Sequence, residues 1–239
     1  MKEKIKRILK SSKFGKILYP LFQKAYRIYS VPKKRRLLRK NGDVILKIID
    51  KAFQGAGIEY FVDFGTLLGV IREGDFLKHD DDIDITICSP DINSHFVVDL
   101  LLKEGFSFIH SLEYKGKSRI VALDYKGTSV DFYFRELSDD GSVYWRYGAY
   151  FNPKENYPSQ EWNNCIRISY PLTLQCKRWQ FKDMKISVPT DPEEHLVFEY
   201  GEGWRVPDLN CRCALSKPIV YLDDYKKRVV DIEEYFNGK

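Results

Sequence analysis

Four carboxylates fall within five residues of this 239-residue chain: Asp80, Asp81, Asp82 and Asp84. The last two open an alternation of polar and apolar side chains, Asp82-Ile83-Asp84-Ile85-Thr86-Ile87. Neighbouring side chains of a strand point to opposite faces, so Asp82 and Asp84 share one face while the three isoleucines bury the other. Carboxylates held this close raise one another's pKa unless water or a cation takes up their charge. Paired carboxylates suit Mg2+, which takes one or two protein oxygens and completes its shell with water and phosphate; Mn2+ accepts the same oxygen donors. A third carboxylate, Asp131, sits between Val130 and Phe132 in a second alternating run, residues 128 to 134. A charge inside an apolar strand needs a partner or a metal.

Upstream lies Gly65-Thr66-Leu67-Leu68-Gly69, followed by Arg72. The pattern predicts a strand over residues 58 to 64, a sharp junction at Gly65-Thr66 and a short helix over residues 67 to 73. Gly65 lets the backbone approach a ligand, and a helix start at Thr66 offers free N–H groups to a phosphate. Arg72 is placed to balance developing phosphate charge. Phosphate cradle, paired Asp and remote Asp together describe metal-assisted phosphoryl or nucleotidyl transfer. An intact carboxylate set argues against a purely scaffolding role. A calcium loop starting at Asp80 fails, because Ile85 stands where the sixth position needs Gly and Asp91 where the twelfth needs Glu. The isolated His79 and His195 read as structural.

Charge divides the chain. Residues 1 to 40 hold fifteen Lys or Arg against Glu3, a net +14, whereas the rest hold 24 basic and 33 acidic side chains, a net −9. The basic part reads as an amphipathic helical arm, with Ile5, Ile8, Leu9, Ile17, Leu18, Leu21, Phe22, Ala25 and Ile28 at helical spacing. A break is expected at Val31-Pro32. Such an arm suits the interface of an anionic membrane better than nucleic acid, so a cytoplasmic protein held peripherally on the inner face of the membrane is expected. No run of 18 apolar residues predicts a spanning helix, and Lys10, Lys13 and Lys16 interrupt any signal peptide. The five cysteines are odd in number in a long chain, which argues against a disulfide framework, and the Cys211-x-Cys213 pair has no second pair at zinc-finger spacing, so reduced cysteines are expected. Downstream, the pattern predicts a helix over residues 96 to 103 and a strand over residues 106 to 110. It then predicts a hairpin turning at Lys126-Gly127 and aromatic loops and short strands over residues 137 to 180. A helix starts at Asp191-Pro192, and another closes the chain over residues 219 to 236. The fold class is α+β, divided into the arm (1–40) and a catalytic domain (41–239).

The run FVDFGTLLGVIREGDFLKHDDDIDITI resembles the LicD family, which includes the fukutin-related proteins. Gly65, Thr66, Leu67, Leu68, Gly69, Arg72, Asp80, Asp82 and Asp84 carry the match, and Lys78-His79 replace the family's usual Pro-Trp. A second match lies in PTDPEEHLVFEYGEGWRVPD, at Pro189, Leu196, Tyr200, Gly201, Trp204 and Pro207. The resemblance implies a polymerase β-type nucleotidyltransferase-like mixed sheet with flanking helices. It implies transfer of a phospho-alcohol, such as phosphocholine or ribitol phosphate, from a CDP-activated donor to a sugar hydroxyl of a cell-surface or lipid-linked glycan. Asp82, Asp84 and Asp131 would hold Mg2+ and carry the chemistry, with Asp131 as general base; Gly65, Thr66, Arg72 and Asp80 would bind substrate. Transfer of an NMP with loss of pyrophosphate uses the same metals and is the alternative.

Overall fold

The structure, a computed structural model, describes residues 13–89, 91–149, 165–208, 219–222 and 228–237, and the side chains of the first helix from Ile28 onward. The Cys211-x-Cys213 pair, the arm's earlier apolar stripe and the middle of the aromatic segment lie outside that description.

Helix α1 (Lys13–Ala56) is continuous through the expected break at Pro32 and through the 40/41 boundary. Proline cannot donate to the carbonyl of Ile28, and an interior proline costs about 3 kcal/mol. Two features offset this. Ile28 and Tyr29 are 69% and 70% exposed, so water reaches the freed carbonyl. Further on, Leu38, Ile45, Leu46, Ile49 and Phe53 are fully buried, and five such side chains contribute on the order of 10 kcal/mol.

The main sheet has the order β1-β2-β5-β4-β3-β12. Its strands are β1 (Tyr60–Val62), β2 (Asp82–Ile87), β3 (Ser107–Tyr114), β4 (Lys117–Tyr125), β5 (Thr128–Phe134) and β12 (Arg228–Val230). Neighbours are antiparallel except β2 and β5, which run parallel. Lys126 and Gly127, at φ 51° and 89°, make the tight turn between β4 and β5. Ile83, Ile85, Ile87, Val130 and Phe132 enter one core with α1 and with Val97, Val98 and Leu101 of α3 (Ser94–Lys103). Phe53 meets Phe132 edge-on at 6.1 Å. The opposite sheet face therefore carries the carboxylates.

Helix α2 (Phe64–Arg72) follows β1 directly. A second sheet, ordered β11-β8-β7-β6, is built from β6 (Glu136–Leu137), β7 (Tyr144–Ala149), β8 (Cys165–Tyr170) and β11 (Ile219–Leu222). The hairpin of β9 (Cys176–Phe181) and β10 (Met184–Pro189) leads into α4 (Pro192–Tyr200), capped by Asp191, which accepts from the N–H of Glu194 at 3.0 Å. The expected long C-terminal helix is not formed. Residues 219–222 and 228–230 are strands pairing with β8 and β3, and only α5 (Ile232–Asn237) is helical. The β-branched and aromatic run Ile219-Val220-Tyr221 favours an extended chain, and each segment extends a sheet.

Candidate active site

Parallel pairing of β2 and β5 sets Asp84 directly beside Asp131 and Asp82 beside Ser129. Paired strands lie about 4.8 Å apart, so Asp82, Asp84 and Asp131 project together from the face that α1 leaves open. Tyr133 shares that face, and its hydroxyl donates to Asp84 Oδ1 at 3.0 Å. Thr66 is fully buried, and its hydroxyl accepts from the Asp84 N–H at 3.0 Å. Its side chain thus ties α2 to β2.

The electrostatics follow from crowding. Burial, then Asp82 and Asp131, push Asp84 well above the usual carboxylate range. Burial and the charge of Asp82 push Asp131 up to about 7. Burial, with Asp82 and Asp81, does the same for Asp80, to about 7, and Asp82 is raised by burial and Asp81. Asp80 Oδ2 is buried without a hydrogen-bond partner. An all-oxygen, donor-starved set that cannot fully ionise by itself fits a hard divalent cation.

Counter-charge reaches the cluster from the base of the arm. Lys34 pairs with Asp81 at 3.6 Å and opposes the shifts of Asp82 and Asp131, and Arg35 opposes that of Asp80. Arg39 Nη2 donates to the carbonyl of Lys78 at 2.8 Å.

The two motif glycines sit at close approaches, against a side chain at Gly65 and against backbone at Gly69. A Cβ on Gly65 would lie 2.5 Å from Asp80 Oδ2, and one on Gly69 would lie 2.5 Å from the Asp75 carbonyl. The carboxylate of Asp80 therefore folds over the first turn of α2. Beside it opens a cleft of about 1150 Å3, lined by Phe64, Gly65, Arg72, Asp80, Tyr200 and Trp204 among others. Arg72 lies on its wall but is engaged: Nη1 donates to the Trp204 carbonyl at 3.1 Å and Nη2 to Glu73 at 2.9 Å.

Sequence reasoning missed the buried hub beneath this site. Asp63 caps α2, accepting from the Phe64 N–H at 2.8 Å. Its Oδ2 accepts from Thr86 Oγ1 and Arg135 Nη2, each at 2.6 Å, and its Oδ1 from His195 Nε2 at 2.9 Å. Burial alone would raise its pKa, but His195 and Arg135 outweigh that and hold the carboxyl ionised, so Nε2 of His195 carries the proton. Tyr170 donates to the neighbouring Glu199. Asp63, His195 and Glu199 bring ligand atoms within 4.8 Å of one another. A metal there is opposed by the Arg135 guanidinium and by four donors already filling Asp63. The hub holds Phe64 at φ 45°, strained for a residue with a Cβ. Its signal was present: Ser129, Asp131, Tyr133 and Arg135 continue one period-2 face, as do Asp82, Asp84 and Thr86.

The LicD/FKTN/FKRP nucleotidyltransferase-domain family matches residues 57–191. Ribitol-5-phosphate transferase FKTN of Homo sapiens is 25% identical over 178 residues, covering 71% of this chain and 34% of its own length. The protein of that name from Mus musculus is 23% identical over 180 residues, 72% of this chain and 34% of its own. The chain thus spans about a third of the length of these curated relatives.

Proposed function

This chain belongs to the LicD/FKTN/FKRP family, and on that premise we propose that it is a metal-dependent phosphotransferase. It moves a phospho-alcohol from a CDP-activated donor to a sugar hydroxyl of a cell-surface or lipid-linked glycan, on a nucleotidyltransferase-like sheet. The observation that carries this reading is the in-register placement of Asp84 beside Asp131, with Asp82 on the same face and a large cleft alongside.

Asp82, Asp84 and Asp131 would hold Mg2+ or Mn2+. A bound cation would supply charge neutralisation for phosphate oxygens and acidify a nearby hydroxyl. Asp131, in register with Asp84 on the open face, is placed to accept the acceptor hydroxyl's proton. The acceptor oxygen attacks the phosphorus bearing the alcohol, the bond to the bridging oxygen breaks, and CMP leaves. Backbone N–H groups at Gly65 and Thr66 orient the donor phosphate, Arg72 shapes the cleft wall, and Asp80 fixes the first turn of α2. Catalysis of this kind is mostly positioning and charge stabilisation.

With a panel of CDP-alcohols, Mg2+ and a glycan acceptor, the expected result is CMP release and a product heavier by one phospho-alcohol. NMP adducts with pyrophosphate release from nucleoside triphosphates would instead establish the alternative, a nucleotidyltransferase.

The outer part of α1 would meet an anionic membrane at its inner, cytoplasmic face. Exposed Ile28 and Tyr29 support this, as does a shallow groove of Tyr29, Pro32, Lys33 and Arg36. Among the described residues no helix is long and apolar enough to cross a membrane. Removing residues 1–27, which takes away nine of the arm's fifteen Lys and Arg but spares Lys34 and buried Leu38, is expected to weaken binding to vesicles rich in phosphatidylserine at least ~10-fold. CMP release with a soluble acceptor should persist. Undiminished vesicle binding after truncation would sink this assignment.

A further inference from the structure

The cations around the carboxylate face are mostly neutralised. Arg72 is paired with Glu73, Lys34 with Asp81 and Arg135 with Asp63. Arg146, on β7 of the second sheet, is paired with no carboxylate among the described residues, and neither is Arg35, which lies in the field of Asp80. The Arg146 guanidinium carbon lies 4.8 Å from the ring centroid of Phe64 and 6.0 Å from that of Tyr170. Its Nε is buried without a hydrogen-bond partner. Burial would lower its pKa, but the carboxylates of Glu199 and Asp63 act in the other direction, and a guanidinium stays protonated in a protein.

Placement links this free charge to the site. Phe64 lines the large cleft together with Gly65 and Arg72, so Arg146 stacks on a cleft-wall ring. The Phe64 ring also meets Tyr133 at 5.0 Å, and Tyr133 donates to Asp84. Arg146 thus packs on a residue of the cleft wall, and Tyr133 links that residue to the central carboxylate. A guanidinium whose Nε is buried without an acceptor is unfavourable in itself, and its two remaining nitrogens make no protein hydrogen bond among the described residues, which leaves the fork for a ligand. Of the two substrates, the donor is the one that must bring anionic oxygens.

We propose that Arg146 is a donor-binding residue, whose planar fork takes two non-bridging oxygens of the donor's diphosphate in parallel N–H···O bonds. This rests on the transferase reading above. Arg72 then serves the cleft wall, and the second sheet supplies the anion contact that the glycine motif alone does not.

The test uses the full chain with Mg2+, CDP as the probe and cytidine as the phosphate-free control. Arg146→Met is expected to weaken CDP binding at least ~30-fold. Arg146→Lys, which keeps the charge and loses the fork, should weaken it ~10-fold. Cytidine binding should stay within threefold of wild type. In turnover, the donor KM should rise while the acceptor KM holds. CDP affinity within threefold of wild type in both folded variants would overturn the proposal, as would a change confined to the acceptor KM. If Arg146→Met fails to fold, phenylglyoxal labelling of wild-type Arg146, mapped by mass spectrometry, replaces it. CDP with Mg2+ should protect the residue, and an unchanged labelling rate overturns the assignment. Wild-type protein that neither binds CDP nor releases CMP would sink the transferase reading itself, and this assignment with it.

Discussion

Asp84→Asn is expected to lower CMP release by at least ~10³-fold without lowering the melting temperature of the metal-free protein. Asp84 is the central carboxylate, flanked by Asp131 in register and by Asp82 on its own strand. Asparagine keeps an oxygen that can accept from Tyr133 and removes the charge that a cation would need. Metal-free stability should not suffer, because repulsion goes with the charge.

The pH dependence follows from the raised carboxylates. Their folded pKa values exceed the unfolded ones, so above about pH 4 the folded protein retains protons that the unfolded chain releases. This group's contribution to stability is therefore present at low pH and lost as pH rises through about 7, the value for Asp80 and Asp131. Mg2+ competes with those protons, so its stabilising effect should grow between pH 5.5 and 8 in the wild type and largely vanish in Asp84→Asn. Thermal unfolding at both pH values, with and without Mg2+, checks this. Equal Mg2+ shifts in the two proteins at pH 8 would refute the cation-site assignment.

Asp63→Ala should give the largest loss of stability, about 3–5 kcal/mol, the range typical of breaking a buried ion pair from one side. Both Asp63 and Arg135 have fully buried side chains. Truncation strands the guanidinium and leaves the Phe64 N–H, the Thr86 hydroxyl and the His195 ring without their acceptor. The Asp63 pKa is depressed, so its contribution is present above about pH 4 and fades only as pH falls below that. Urea unfolding at pH 7 measures the loss, and a value under ~1 kcal/mol would contradict the hub's role. Asp63→Leu combined with Arg135→Met should recover part of it, since an apolar pair leaves no stranded charge.

Much of the carboxylate face was legible because it rests on period-2 alternation. Residues 82–87 and 128–134 carry their polar positions on one side, and the hairpin turn at Lys126-Gly127 fixes how the second run follows its partner. Register between β2 and β5 is a different matter. They are parallel strands separated by 40 residues, and nothing local in either run says that Asp84 stands beside Asp131. The hub was hidden for a related reason. Asp63 reads as the end of a strand, Arg135 as the residue after one and His195 as a lone helical histidine, and only tertiary packing brings them together. Proline misled at position 32, where local cost is outweighed by burial further along the helix. At the other end, the spacing over Ile219 to Leu222 predicts a helix, but its β-branched residues pair with β8 instead.

The unbroken first helix has a mechanical consequence. From Lys13 to Lys34 it spans about 30 Å at the usual rise, and at Lys34, Arg35 and Arg39 it is fastened to the acidic loop. Outer end and carboxylate face are thus joined by one continuous helix. Whatever holds the outer end also sets a stand-off height and a tilt for the carboxylate face. Under the proposed function, an acceptor hydroxyl would have to be presented within that fixed reach, so geometry would filter acceptors before any side chain in the cleft touches them.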